Sequence, residues 1–296
     1  MINARTLAII AALAFVPVAA FGAAAVPPAP VPAAQDAAAR MTIPITINGQ
    51  GPFAFVIDTG ADRTVISRTL ANQLHLPPGE PVRLHDTAGA AQVQTVRLDT
   101  ISFGGRAVPG IQAAVLEANN LGAMGMLGID SLADQQVILD FAANAFSARP
   151  SRTNAMAEPA GTIIVYGRRR FGQLVLVDAQ ANGEPIFVIL DTGAQNSLGN
   201  QALERLLSSL HNPNSKHDDV ISVLGNRTAA DLNQIEEIRL GGILLSHVPI
   251  AYADLETFRQ FGLQHKPAML LGMDILRLFR RVSVDFLRRE AAFTTK

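Results

Sequence analysis

Residues 55–66 read F-V-I-D-T-G-A-D-R-T-V-I and residues 187–194 read F-V-I-L-D-T-G-A. In both stretches an apolar run ends on an aspartate, a threonine and a glycine. The tip of an apolar strand is a costly place for a carboxylate unless something compensates it or uses it. A single D-T-G is good turn chemistry and weak evidence for anything more. Two of them, each ending a buried strand in a matching half of the chain, need another explanation.

The halves match well beyond these tips. M-T-I-P-I-T-I puts Met41, Ile43, Ile45 and Ile47 on one face, N-G-Q-G follows as a hairpin turn, and Phe53–Ile57 reads as a strand covered on both sides. After a polar, proline-bearing joint, Leu174–Val177 is apolar, Asn182-Gly183 supplies the turn, and Ile186–Leu190 runs into Asp191. Later landmarks recur in the same order. F-G-G at 103–105 answers L-G-G at 240–242, M-L-G-I-D-S-L at 126–132 answers L-L-G-M-D-I-L at 270–276, and V-I-L-D-F at 137–141 answers V-S-V-D-F at 282–286. The repeat unit exceeds one hundred residues, too long for a solenoid. The expected fold is all-β with short helices, built from two copies of one lobe at 41–147 and 162–296, with 148–161 as linker. Helical signals are confined to Gln201–Leu210 and to the stretches after Asp130 and Asp274. Those two aspartates read as helix N-caps, and Asp140 and Asp285 as structural strand ends.

Upstream, residues 1–25 carry a charge-free run from Leu7 with A-x-A-like sites among Gly22–Ala25. This reads as an export signal or, uncleaved, as an N-terminal anchor, placing the rest in the periplasm or outside the cell. Residues 26–40 are Pro- and Ala-rich and read as an extended, unpacked tether. Lys and Arg number 24 against 25 Asp and Glu, so no electrostatic footprint for nucleic acid is present. The run Arg168-Arg169-Arg170 reads as a solvated turn. There is no cysteine, which excludes disulfides, a thiol nucleophile and Cys-ligated zinc. The six histidines show no metal-ligand spacing, and no G-x-S-x-G supports a serine hydrolase.

Two related lobes packed about a pseudo-two-fold axis bring their matching turns together at that axis. Asp58 and Asp191 then face each other in a low-dielectric cleft, where two close carboxyls cannot both ionise and share one proton. The ionised member can take a proton from a water while the protonated one polarises a carbonyl, which is general acid–base hydrolysis without a covalent intermediate. Gly60 and Gly193 permit the tight turn and close backbone approach. Thr59 and Thr192 offer short hydroxyls able to lock the two loops.

At this point the chain resembles the retropepsin-like aspartic proteases, in the form of an exported bacterial member with both lobes in one polypeptide. I-D-T-G-A-D-R-T-V-I is similar to the retroviral motif almost residue for residue. Met126-Leu127-Gly128 and Leu270-Leu271-Gly272 fit the family's second element, two apolar residues and a glycine that pack beside the acidic loop. The resemblance covers roughly residues 41–296. It implies a bilobal acid-protease fold, endopeptidase action on extended protein or peptide substrates, and neither metal nor organic cofactor. A single chain holding both lobes is expected to be a monomer. The family places a flap between each acidic loop and the following Gly-Gly turn, which points to Thr87, Ala88 and Gly89 in the first lobe and Leu224, Gly225 and Asn226 in the second. The second motif, D-T-G-A-Q-N-S-L, lacks the acid that Asp62 supplies in the first, so an asymmetric cleft is expected. Ala61 and Ala194 stand where pepsin-like relatives place a hydroxyl donor, so the pair is expected to titrate higher than in those enzymes. The alternative from another class is a peptide-binding module on the same fold that has lost turnover.

Overall fold

A computed structural model describes residues 29–132, 134–151, 158–170, 173–207 and 216–296. The expected export segment at 1–25 and part of the 148–161 linker lie outside the described residues.

The first lobe opens on a hairpin, Met41–Ile47 against Gln50–Ile57. Its turn residues, Asn48 and Gly49, have φ of +50° and +77°, the left-handed pair that matches strand twist in a two-residue hairpin. Asn182 and Gly183 repeat this turn in the second lobe, at +50° and +86°. Met41, Ile43, Ile45 and Ile47 all point into the core, as their alternation predicts. The following strand is covered on both sides only over Phe55–Ile57, since Ala54 is exposed.

Each lobe is closed by parallel pairing of the strand before the acidic turn with the short strand that runs into the glycine of M-L-G or L-L-G. Gln50–Ile57 pairs in parallel with Gly125–Leu127, and Phe187–Leu190 with Ala268–Leu271. A short third strand, Val65–Ser67 or Leu198–Gly199, then pairs antiparallel to the second of these. The long hairpins Ala90–Phe103 with Arg106–Leu116 and Arg227–Leu240 with Ile243–Tyr252 complete each lobe.

The lobes are joined edge to edge. Gln135–Asp140 pairs antiparallel with Arg281–Asp285, with Val137 opposite Val284, Ile138 opposite Ser283 and Leu139 opposite Val282. These are the repeated landmarks themselves, and each residue meets the counterpart of its neighbour across Ile138–Ser283. Such mutual exchange is the signature of a two-fold relation, here within one chain. Ala145–Pro150, Glu290–Thr294 and Thr162–Arg170 extend this bridging sheet, and one apolar core runs through it into both lobes.

Three expectations are corrected. The described part of the tether is packed, because Val31–Pro32 pairs with Ala145–Phe146 on the bridging sheet and Ala34–Gln35 pairs with Met41–Thr42. The strand Ala145–Pro150 runs past the expected lobe boundary at 147, so the linker begins inside the bridging sheet. The arginine run ends the strand Thr162–Arg170, with Arg168, Arg169 and Arg170 paired to Val175, Leu174 and Gln173, and is no turn. The expected helix at 201–210 is formed over Gln201–Leu207, capped by the Asn200 side chain on the Leu203 amide (2.8 Å). Among the described residues no helix is long and apolar enough to cross a membrane.

Candidate active site

Both acidic turns are set by the parallel strand beside them. The Asp58 amide donates to Leu127 O and the Asp191 amide to Leu271 O, both at 3.1 Å, so each turn starts one step beyond the ladder. Gly128 and Gly272 follow these acceptors, and neither tolerates a side chain. A Cβ at Gly272 would sit 2.6 Å from the Asn196 carbonyl carbon, and one at Gly128 would enter the Arg63 backbone. Leu127, Gly128, Leu271 and Gly272 thus pack directly beside the two acidic loops.

Asp130 and Asp274 do not cap the helical turns that contain them. Gly128 and Gly272 hold the N-cap positions. Instead, Asp130 accepts from the amide and hydroxyl of Thr64 (3.0 and 2.7 Å), and Asp274 from the amide and hydroxyl of Ser197 (3.0 and 2.7 Å). The same hydroxyls take the amides of Gly128 (3.2 Å) and Gly272 (3.0 Å). These carboxylates tie the far end of each acidic loop to the glycine that packs beneath it.

The two loops interlock at the threonines. Thr59 Oγ1 donates to Leu190 O (3.0 Å) and accepts from the Thr192 amide (3.2 Å). Thr192 Oγ1 donates to Ile57 O (2.7 Å) and accepts from the Thr59 amide (3.0 Å). Each hydroxyl therefore satisfies one buried donor and one buried acceptor of the opposite lobe, and both side chains are closed to solvent.

Above this lock the carboxyls meet. Asp58 is 7 % exposed and Asp191 half-buried on the floor of one cleft. A Cβ on Gly60 would lie 2.6 Å from the Asp191 carboxyl carbon, and one on Gly193 would collide with the Asp58 carboxyl. Each glycine is thus the opening through which the other lobe's acid reaches the centre. Asp58 Oδ1 accepts from the Gly60 amide (2.8 Å), and Asp191 Oδ1 from the amides of Gly193 (2.9 Å) and Ala194 (3.0 Å). Desolvation, followed by the charge of Asp191, pushes Asp58 up to about 7 despite these donors and Arg40. Desolvation raises Asp191 as well, against the amides of Gly193 and Ala194 and the charge of Arg40. Both carboxyls are thus held above the ordinary carboxylate range, the direction that favours retention of a proton by a close buried pair.

The cleft has a volume of about 1140 Å³. Val65, Met126 and Leu84 line it from the first lobe, and Leu198, Leu270 and Val220 from the second. Over it hang the tips of two hairpins, Pro78–His85 with Ala90–Phe103 and Lys216–Ile221 with Arg227–Leu240. Of the flap candidates, Thr87 and Gly225 reach the cleft, whereas Ala88, Gly89, Leu224 and Asn226 shape the turns behind them. A buried acid missed from sequence organises the tips. Asp86 Oδ1 accepts from the amides of Ala88 and Gly89 (both 2.9 Å), and its Oδ2 accepts from the Leu224 amide of the other flap (3.3 Å). Thr87 O takes the Glu256 amide of the second lobe (2.8 Å), and Gly225 packs against Asn120 of the first. The flaps are clasped shut across the cleft.

Two further residues escaped the sequence reading. Arg40, at the end of the expected tether, donates to Gly193 O (3.3 Å), and Gln173 donates to Gly60 O. Each stands eighteen residues before its own lobe's aspartate, and that shared offset was the available signal.

Comparison with known families agrees with this geometry. Residues 43–134 match the model described as “gag-polyprotein putative aspartyl protease”, and residues 177–275 match the one described as “Aspartyl protease”. No curated protein matches the chain significantly. Each matched stretch contains one acidic loop, its supporting glycine and one flap, so the chain belongs to the retropepsin-like aspartyl proteases, with two such domains in tandem.

Proposed function

We propose that the protein is an aspartic endopeptidase that cuts peptide bonds within extended polypeptides, with Asp58 and Asp191 as the reacting pair. The reading rests on one observation above all: each carboxyl is lodged against the glycine of the opposite loop, in a cleft roofed by two flaps. With one proton shared, the ionised carboxylate takes a proton from a water held between the pair as its oxygen bonds to the peptide carbonyl carbon. The protonated carboxyl hydrogen-bonds the carbonyl oxygen as it gains charge. The resulting tetrahedral species breaks its C–N bond, and the proton taken from water passes to the leaving nitrogen. The products are one carboxylic acid and one amine, with the pair returned to its starting state.

Apolar side chains spaced along the cleft and flap backbones over it favour an extended substrate bound by strand addition. We further propose that the protein is exported, cleaved from or anchored through residues 1–25, and works as a monomer on protein or peptide substrates without metal or cofactor. The test is incubation of the chain with an unfolded protein, followed by sequencing of the products. Cleavage at internal bonds, abolished by a transition-state inhibitor of aspartic proteases and by Asp58→Asn, is the expected result. Cleavage indifferent to both treatments would overturn the assignment. Binding of the unfolded protein without any cleavage would leave the peptide-binding reading in its place.

A further inference from the structure

Arg40 is buried, and its guanidinium is committed at three points. Nε donates to Asp36 Oδ2 (2.7 Å), Nη2 to the same oxygen and to Leu121 O of the first lobe, and Nη1 to Gly193 O of the second. Asp36 is itself fully used: its other oxygen accepts from the amides of Ala38 (3.0 Å) and Arg40 (2.9 Å), closing a tight turn. Gly122 leaves room for this pair, since a Cβ there would lie 2.8 Å from Nη2. A buried ion pair with its hydrogen bonds satisfied is therefore built from the N-terminal segment against the second acidic loop.

The counterpart position holds no charge. Gln173, eighteen residues before Asp191 as Arg40 is before Asp58, braces the first loop through an amide. The exchange is matched on the loops, where Asp62 of the first answers Gln195 of the second. Two copies of one lobe have thus kept the brace and made it charged on one side only. Among the described residues, Arg40 is the cation that acts on both Asp58 and Asp191.

We propose that Arg40, oriented by Asp36, is a positioning residue that holds the second acidic loop in place and biases the acid pair toward its singly ionised form from one side. A guanidinium close to a low-dielectric carboxyl pair favours the charged state, and its attachment to Gly193 O fixes its distance from that pair. Other charged groups line the same cleft. Asp62 and Arg63 follow on the first loop, Arg83, His85 and Asp86 line the first flap, and Asp218, Asp219 and Arg227 line the second. Arg227 is occupied by Asp219 at 3.1 Å.

The inference rests on Asp58 and Asp191 as the reacting pair, but its test does not need turnover. The carboxyl carbons of both aspartates are titrated by 13C NMR in the full chain, in Arg40→Gln and in Gln173→Arg. Arg40→Gln, which makes the braces alike, should move the pair's titration upward by about one pH unit. Gln173→Arg, which builds a guanidinium on the other loop, should move it downward. Arg40→Lys, keeping the charge, should stay close to the parent chain. In an active enzyme the pH profile of kcat/KM should follow the same shifts. An unmoved titration in a folded Arg40→Gln chain, or Arg40→Lys behaving like Arg40→Gln, overturns the proposal. Should Arg40→Gln fail to fold, an unmoved titration in Gln173→Arg overturns it equally. An inactive parent chain would sink the endopeptidase reading alone, because the titration is read without substrate.

Discussion

A carboxyl raised by burial works against the folded state at neutral pH, and Asp58 should show it. Its folded value of about 7 lies above the ordinary 3.8, so the folded chain holds more protons than the unfolded one between these values. That contribution is fully present below about pH 4 and is lost as pH rises toward 7. Asp58→Asn removes the titration, and its stability should vary less across this window than the parent's. At pH 7 a gain on the order of 1–2 kcal/mol is expected from urea unfolding at stepped pH. Thr59 gives the opposite result. Its hydroxyl serves the Leu190 carbonyl and the Thr192 amide, so Thr59→Ala strands two buried groups. A loss of about 2–4 kcal/mol is expected, largely restored by Thr59→Ser. These residues were legible in sequence because repetition marked them. Arg40 was not, because its partner Asp36 lies in a Pro/Ala-rich stretch whose composition speaks for an unpacked chain.

At the scale of elements, the flaps and the supporting glycines carry separable tasks. Asp86→Ala frees the amides of Ala88, Gly89 and Leu224. Amide exchange at all three should quicken by roughly tenfold or more, and KM should rise more than kcat falls, since the clasp shapes the roof and touches no reacting atom. Unchanged exchange at Leu224 would mean that the flaps are not joined through Asp86. Gly272→Ala drives a methyl against the Asn196 backbone and should cost about 1–3 kcal/mol. Heat denaturation of the variant chain checks it. The hairpins were readable from alternation and from Asn-Gly turns, whose left-handed φ few other residues adopt. The clasp was not, since nothing local in H-D-T-A-G-A-A says that Asp86 reaches the other lobe. Asp130 and Asp274 misled for the same reason. An aspartate at the start of a helical turn is locally a cap, and only the tertiary fold brings Thr64 and Ser197 within its reach.

For the whole molecule, the decisive fact is that duplication was followed by fusion about a two-fold relation rather than by separation into beads. The bridging sheet pairs Val137 with Val284 and Leu139 with Val282, and the acidic loops of the two lobes are joined at the threonine lock. The sequence showed the repeat, but the lobes' edges lie where strands of both are shared, which no boundary placed between them can capture. The proposed action of the two acids as one unit has a kinetic consequence. Loss of either should disable the pair, and loss of the second should then cost little more. The most direct measurement is kcat/KM on an unfolded protein substrate for Asp58→Asn, Asp191→Asn and the double variant. Each single change should lower the rate by roughly a thousandfold or more, and the double change no further than the worse of the two. A single variant retaining activity within about tenfold of the parent, with its fold intact, would contradict a shared pair.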